Sequence, residues 1–232
     1  MRSLPFTTIR IEAGEPLYWD RHVERLRETA AALALPIPVA KDLFRALPRA
    51  VGGTLRVRIT LQHNGSLTVD AEPYADSAEP WSLLPVPVDP DRDLVRYKTT
   101  ARSLYDAARE LLGDEEDALL FREAAVRDGG QDSGDGTVLE CTVANLFFEI
   151  EGRIVTPPAS EALLPGIVRA LVLERVPAAC EAPVSRADAM RASACCVTNA
   201  LIGVHPVGAV TRWRSFESVE LARRLKDAIR AG

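Results

Sequence analysis

Lys98 sits in the run Arg96-Tyr97-Lys98-Thr99-Thr100-Ala101-Arg102-Ser103-Leu104-Tyr105-Asp106, where an extended segment is expected to end and a helix to begin. A lysine amine desolvated at such a joint loses proton affinity and can attack a carbonyl or act as a base. Taken alone, a lysine is more often a solvated surface side chain. Two further breaks suit an anion, Pro165-Gly166-Ile167-Val168 and Val197-Thr198-Asn199-Ala200, because free backbone N–H groups at a helix start hold phosphate well. Leu139-Glu140-Cys141-Thr142 puts a carboxylate into an otherwise apolar strand. On alternation alone, the solvent face of that strand and a functional position are equally open for Glu140. Arg25 lies on the flank of a helical stripe, where the pattern is satisfied by a solvated arginine or a local ion pair.

Other chemistries find no support. The chain contains no GxGxxG, GxxxxGK[ST], GxSxG or HExxH, and His22, His63 and His205 are isolated. Cys141, Cys180, Cys195 and Cys196 show no CxxC spacing, so buried reduced thiols are expected rather than a disulfide framework or a metal site.

The elements that must position these residues follow from periodicity. Residues 6–11 alternate and are β-branched, so they form a strand with Phe6, Thr8 and Arg10 on one face. Trp19, Val23, Leu26, Ala30 and Leu33 make the stripe of a helix over 19–35, and a short helix is expected over 39–50. A hairpin joins Leu55–Leu61 to Ser66–Ala71 through His63-Asn64-Gly65. Pro73, Pro80, Pro85, Pro87 and Pro90 exclude a helix across 72–90, which reads as a linker near 72–80 and then an edge-like strand over 81–88. A helix over 100–112 turns Leu104, Ala107, Ala108 and Leu111 inward. Strands are expected over 118–126 and 137–150, joined by a Gly/Asp/Ser-rich mobile loop at 128–136. A hairpin around Glu151-Gly152, a helix from about Gly166, a buried strand from Ala194 to Thr198 that breaks at Asn199, and an amphipathic helix over 216–230 complete the chain.

A chain of 232 residues that is 47% hydrophobic can bury a full core and build one large or two small domains. Its net charge of −5, with no block of Lys and Arg free of acids, argues against nucleic acid or an anionic membrane as partner and for a small molecule. Neither a secretion signal nor an apolar run of roughly 18 residues is present, so a cytoplasmic protein is expected.

Several of these residues carry a resemblance. Lys98-Thr-Thr-Ala-Arg102, Leu139-Glu-Cys-Thr-Val-Ala-Asn-Leu-Phe-Phe148, Ile154-Val-Thr-Pro-Pro158, Leu164-Pro-Gly-Ile-Val-Arg169 and Thr198-Asn-Ala-Leu-Ile-Gly-Val-His-Pro-Val207 resemble, in order, the signature of the class IV (fold type IV) pyridoxal-phosphate enzymes. Asp20-Arg-His-Val-Glu-Arg-Leu26 is similar to that family's His-Leu-x-Arg-Leu helix, so the resemblance spans nearly the whole chain. Within the family, Phe6-Thr-Thr-Ile-Arg10, Glu140-Cys141 with Ala144-Asn145, and Thr198-Asn-Ala-Leu-Ile202 look most like aminodeoxychorismate lyase.

The resemblance implies a two-domain α/β (α+β) fold: a small domain over 1–75, a linker over 76–80 and a larger domain with a barrel-like sheet over 81–232. The cofactor, pyridoxal 5′-phosphate, would lie in the cleft between them, and the protein would be a homodimer. Lys98 would carry the cofactor as a Schiff base and Glu140 would pair with its pyridine nitrogen. Arg25 would meet the phosphate, with the backbone amides of Gly166-Ile167-Val168 and the Thr198-Asn199-Ala200 turn; Asn145 belongs to the same cofactor-binding set. Phe6, Thr8 and Arg10 would face the substrate, with Arg10 the partner for a carboxylate. No metal is implied. The chain departs from the pattern in three places: it starts at what is normally the second strand, it has the His63-Asn64-Gly65 turn in place of an Arg-Gly-rich loop, and it has Val168 where threonine is common. The expected reaction is elimination of pyruvate from 4-amino-4-deoxychorismate to give 4-aminobenzoate. The alternatives are an aminotransferase for branched-chain or D-amino acids, or a truncated non-catalytic cofactor binder.

Overall fold

The computed structural model describes residues 3–48, 52–89, 96–123 and 136–230. The Gly/Asp/Ser-rich joint at 128–135 lies outside the described residues. By internal contacts the chain parts into two compact units, one of residues 1–77 with 97–102, the other of residues 78–96 with 103–232.

The first unit is an antiparallel sheet with a helix on one face. Its strands β1 (Phe6–Glu12), β2 (Glu15–Pro16), β3 (Thr54–Leu61) and β4 (Leu67–Pro73) lie in the order β2-β1-β3-β4. Helices α1 (Trp19–Ala32) and α2 (Ala40–Arg45) pack through Val23, Leu26, Ala30 and Leu43 onto Ile9, Ile11, Val57, Ile59 and Leu61. Because strand side chains alternate, burying Thr7, Ile9 and Ile11 against the helix puts Phe6, Thr8 and Arg10 on the opposite face. The β1–β3 register sets Thr8 opposite Arg58 and Arg10 opposite Arg56 on that face. Lys98 is held here by the backbone: Phe6 N donates to Lys98 O (3.0 Å), and Leu4 and Thr100 exchange bonds on either side.

The second unit carries a nine-stranded mixed sheet. Its strands are β5 (Trp81–Pro87), β6 (Asp117–Arg122), β7 (Thr137–Cys141), β8 (Asn145–Ile150), β9 (Arg153–Thr156), β10 (Ala179–Glu181), β11 (Ala194–Asn199), β12 (Gly203–Val210) and β13 (Arg214–Ser215). The main path runs β10-β9-β8-β11-β12-β5-β6-β7, with β13 on β12. A tight turn, Thr142-Val143-Ala144, leads from β7 at the end of the path straight into β8 near its start, so the sheet is curled into a half-barrel. Helices α3 (Ser103–Arg109), α4 (Ile167–Arg175), α5 (Arg186–Arg191) and α6 (Glu220–Arg230) cover it. Among the described residues no helix is long and apolar enough to cross a membrane.

Several local expectations shift. Helix α3 begins at Ser103 and ends at Arg109, so Lys98 sits five residues ahead of the helix rather than at its first turn. Tyr105, Ala108, Leu104 and Leu112 point inward; Ala107 is exposed and Leu111 is 62% exposed, because the helix ends before the stripe reaches it. Strand β5 is not simply an edge: Trp81–Leu83 pair with β12 on one side, and from Leu83 to Pro87 the strand pairs with β6 on the other. Pro85 and Pro87 fall where only β6 is a partner, which is how a strand inside a sheet tolerates missing donors. The last helix starts at Glu220 instead of 216. All four cysteines are free, with Cys141, Cys195 and Cys196 buried and their thiols pushed up in pKa by burial.

Candidate active site

In the first unit, Lys98 Nζ lies 4.9 Å from the centroid of the Phe6 ring and the Arg58 guanidinium carbon lies 3.9 Å from the same centroid. A ring face attracts cations, so Phe6 gathers two of them on the face of the sheet away from α1. Arg10, on that face too, is already engaged. It grips Asp76 in a two-pronged pair (2.6 and 2.8 Å), donates to Glu12 (2.5 Å) and stacks on Tyr74, and the Asp76 bond in particular raises its pKa.

On the other face of β1 the α1 residues build a polar cluster inside an apolar core. Arg25 Nη2 donates to Thr7 Oγ1 (2.9 Å), and Thr7 Oγ1 meets His22 Nδ1 at 2.7 Å. His22 is fully buried and Thr7 is 1% exposed. Arg25 Nε and His22 Nε2 are buried with no partner, and among the described residues no carboxylate pairs with Arg25. Burial lowers the Arg25 pKa to about 10. For His22, burial first, then the charges of Arg25 and Lys98, hold the imidazole well below its usual range and therefore neutral. Arg25 is thus neither a solvated arginine nor half of an ion pair. A half-buried guanidinium whose Nε–H is buried and unmet, with no counter-charge among the described residues, suits an anionic ligand.

In the second unit Glu140 is the next-to-last residue of β7 and is 4% exposed, so it does not lie on a solvent face. Its Oε1 accepts from Tyr105 Oη (2.8 Å) and Leu164 N (3.0 Å), and its Oε2 accepts from Asn145 Nδ2 (3.1 Å). Three donors converging on a buried group are what a carboxylate, an acceptor on both oxygens, requires. Asn145 Nδ2 also donates to Leu164 O (2.8 Å). Asn145 therefore braces Glu140 and the chain leading into α4, and a Cβ on Gly166, the N-cap of α4, would come within 2.0 Å of Asn145 Oδ1. Only glycine allows that approach. Ile167 and Val168 bury their side chains, leaving their backbone N–H groups, which face no intrahelical acceptor in the first turn.

Thr198 pairs with Asn145 across β8 and β11 and is 1% exposed, with Oγ1 unpartnered. Asn199 uses its side chain structurally: Nδ2 donates to Val143 O (3.0 Å), and Oδ1 accepts from Leu201 N and Ile202 N (2.8 Å each). From the far side, Asp117 accepts from Ala118 N, Val143 N and the Thr142 hydroxyl. Burial raises its pKa, and those bonds together with the charge of Arg109 oppose the rise. The turn that sets Glu140 against Asn145 is therefore clamped from both sides.

Glu140, Asn145, Gly166 and Thr198 thus come together in one unit, and Lys98, Phe6 and the Arg25 cluster each take defined places in the other. Thr7, His22 and Tyr105 are functional candidates that pattern reasoning passed over. His22 precedes Arg25 by three residues on one helix, and Tyr105 lies on the inward stripe of α3; those spacings were the available signals. In the first unit the unmet Arg25 Nε, and in the second the unmet Thr198 hydroxyl and the N–H groups at the start of α4, are each the kind of donor that a phosphate-bearing cofactor accepts.

The half-barrel and its supporting elements define a fold type IV enzyme, and residues 5–210 match the family model "Amino-transferase class IV". The chain belongs to that family, which implies pyridoxal phosphate as cofactor. It is 26% identical over 172 residues, 69% of each chain, to the curated protein "Putative aminodeoxychorismate lyase" of Schizosaccharomyces pombe. Among solved structures it is similar to a "Putative amino-acid aminotransferase" from Mesorhizobium loti, at 31% identity and TM-score 0.77 over 90% of this chain and 100% of that one. It also resembles a "Putative 4-amino-4-deoxychorismate lyase" from Legionella pneumophila, at 21% identity and TM-score 0.83 over 98% and 90% of the two chains.

Proposed function

We propose that the protein is a 4-amino-4-deoxychorismate lyase, eliminating pyruvate from its substrate to leave 4-aminobenzoate. The observation that carries this reading is the similarity to the "Putative aminodeoxychorismate lyase" of Schizosaccharomyces pombe over more than two thirds of both chains. Pyridoxal phosphate, when bound, supplies an electron sink for the carbon that loses its proton. Lys98 would hold the cofactor, and its Nζ would take the proton from the carbon bearing the substrate nitrogen. Glu140 would keep a proton on the pyridine nitrogen, its carboxylate aimed by Tyr105, Asn145 and the Leu164 amide. Arg25, Thr198 and the backbone amides of Gly166-Ile167-Val168 and of Asn199-Ala200 would hold the phosphate. Phe6, Thr8 and Arg10 would line the substrate side; a substrate carboxylate reaching Arg10 must displace or share it with Asp76. A cytoplasmic homodimer with domains over 1–75 and 81–232 belongs to the same reading.

The second reading, an aminotransferase for branched-chain or D-amino acids, is favoured by the 31% identity to the Mesorhizobium loti protein. One incubation separates them. With 4-amino-4-deoxychorismate, the lyase releases pyruvate and 4-aminobenzoate in equal amounts. If neither is released while an amino acid converts the bound cofactor to its pyridoxamine form, the lyase reading is wrong.

A further inference from the structure

Arg25 is held from behind by two residues with no other evident task. An arginine side chain has many rotamers, and fixing it for one ligand needs a support that is itself fixed. Thr7 supplies an acceptor at 2.9 Å from Arg25 Nη2, on a strand whose register with β3 is uninterrupted from Phe6 to Glu12. His22 lies 2.7 Å behind the Thr7 hydroxyl and is completely buried.

Hydrogen-bond accounting sets the proton positions. Arg25 can only donate, so the Thr7 oxygen accepts from it. The Thr7 hydroxyl has one proton to give, and among the described residues His22 Nδ1 is the one acceptor that meets it. Arg25 Nη2 also lies 3.5 Å from Nδ1, where a second N–H would face the guanidinium donor. Nδ1 must then be the bare, accepting nitrogen and Nε2 the protonated one. A doubly protonated ring would leave the Thr7 proton without an acceptor and set a second cation against Arg25.

We propose that Thr7 and His22 are positioning residues for the anion-binding guanidinium: His22, as its Nε2–H tautomer, orients the Thr7 hydroxyl, and that hydroxyl orients Arg25 Nη2. The relay leaves Arg25 Nε, which has no partner, as a donor of fixed direction. It rests on the reading that Arg25 receives the cofactor phosphate. It adds that the affinity for phosphate depends on a hydroxyl at position 7 that never touches the ligand.

The test uses the full chain without cofactor. Nitrogen-15 NMR of the histidine rings should show the His22 proton on Nε2 in the wild type. Thr7→Val, which keeps the shape and removes the hydroxyl, should lose the single tautomer and weaken pyridoxal phosphate binding, measured by calorimetry, on the order of tenfold, the fold-change that loss of one hydrogen bond to a charged group corresponds to. Thr7→Ser, which keeps the hydroxyl, should restore both. A wild-type ring protonated on Nδ1, or a Thr7→Val protein with unchanged affinity, overturns the relay. If Thr7→Val does not fold, Thr7→Ser and the wild-type tautomer still decide it. Should the wild type bind neither pyridoxal phosphate nor inorganic phosphate, the cofactor reading fails, and the tautomer measurement judges the relay by itself.

Discussion

Gly166→Ala tests the brace around Glu140. A Cβ at this position would sit 2.0 Å from Asn145 Oδ1 and 3.2 Å from its Cγ. The obstructing atom is not the loose end of a flexible side chain, because Asn145 is short and its Nδ2 is tied to Glu140 Oε2 and Leu164 O. Relief therefore requires Asn145 to move and release both bonds. The bond to the carboxylate is worth about 1.5–3 kcal/mol and the bond to the carbonyl about 0.5–1.5 kcal/mol. Residual crowding brings the expected loss to about 3–5 kcal/mol, a fall in melting temperature on the order of 10 °C for a chain of this size. Urea unfolding of the cofactor-free protein measures it, as a cycle with Asn145→Ala. With the asparagine already truncated, alanine at 166 meets no obstruction, and its φ of −74° is ordinary for alanine. In that background the second substitution should cost nothing or stabilise by a few tenths of a kcal/mol. Coupling of about 2 kcal/mol or more is expected. Additivity within roughly 0.5 kcal/mol would refute the brace.

Tyr105→Phe removes a donor from a buried carboxylate and should cost about 1.5–3 kcal/mol of stability, read by urea unfolding, while pyridoxal phosphate affinity also falls. An unchanged unfolding midpoint would show that the hydroxyl does not support Glu140. For His22 the folded pKa is depressed, so below about pH 6.5 the unfolded chain binds a proton that the native ring does not. Its contribution is full above that pH and is lost as pH falls, at up to about 1.4 kcal/mol per pH unit. In urea unfolding between pH 5 and 7.5, His22→Gln should flatten the slope by that amount, and parallel curves would contradict the buried neutral ring.

Element types and order were legible because they rest on periodicity: the β1 alternation, the α1 stripe and the Asn64-Gly65 hairpin all reappear. Positions decided by several neighbours at once were not. Alternation could not place Glu140 because Leu139, Glu140 and Cys141 are all buried, the strand being covered on both faces. The local sequence of β5 showed its prolines but not that β12 stops pairing with it at Leu83, just before they occur. Asn199 and Arg10 look alike as site residues in sequence, yet one is spent bracing a turn and the other grips Asp76, and both facts depend on residues distant along the chain. Thr7 and His22 were missed because an inward threonine and an isolated histidine are ordinary features of a core until an arginine is found against both.

The central claim, that Lys98 is the residue that carries the cofactor, is tested most directly by chemical trapping. The protein is loaded with pyridoxal phosphate, reduced with borohydride, digested and sequenced by mass spectrometry. The account predicts one stable cofactor adduct, on the peptide containing Tyr97-Lys98-Thr99, and none in Lys98→Ala. An adduct on Lys41 or Lys226, or no adduct from a protein that binds the cofactor, would contradict it.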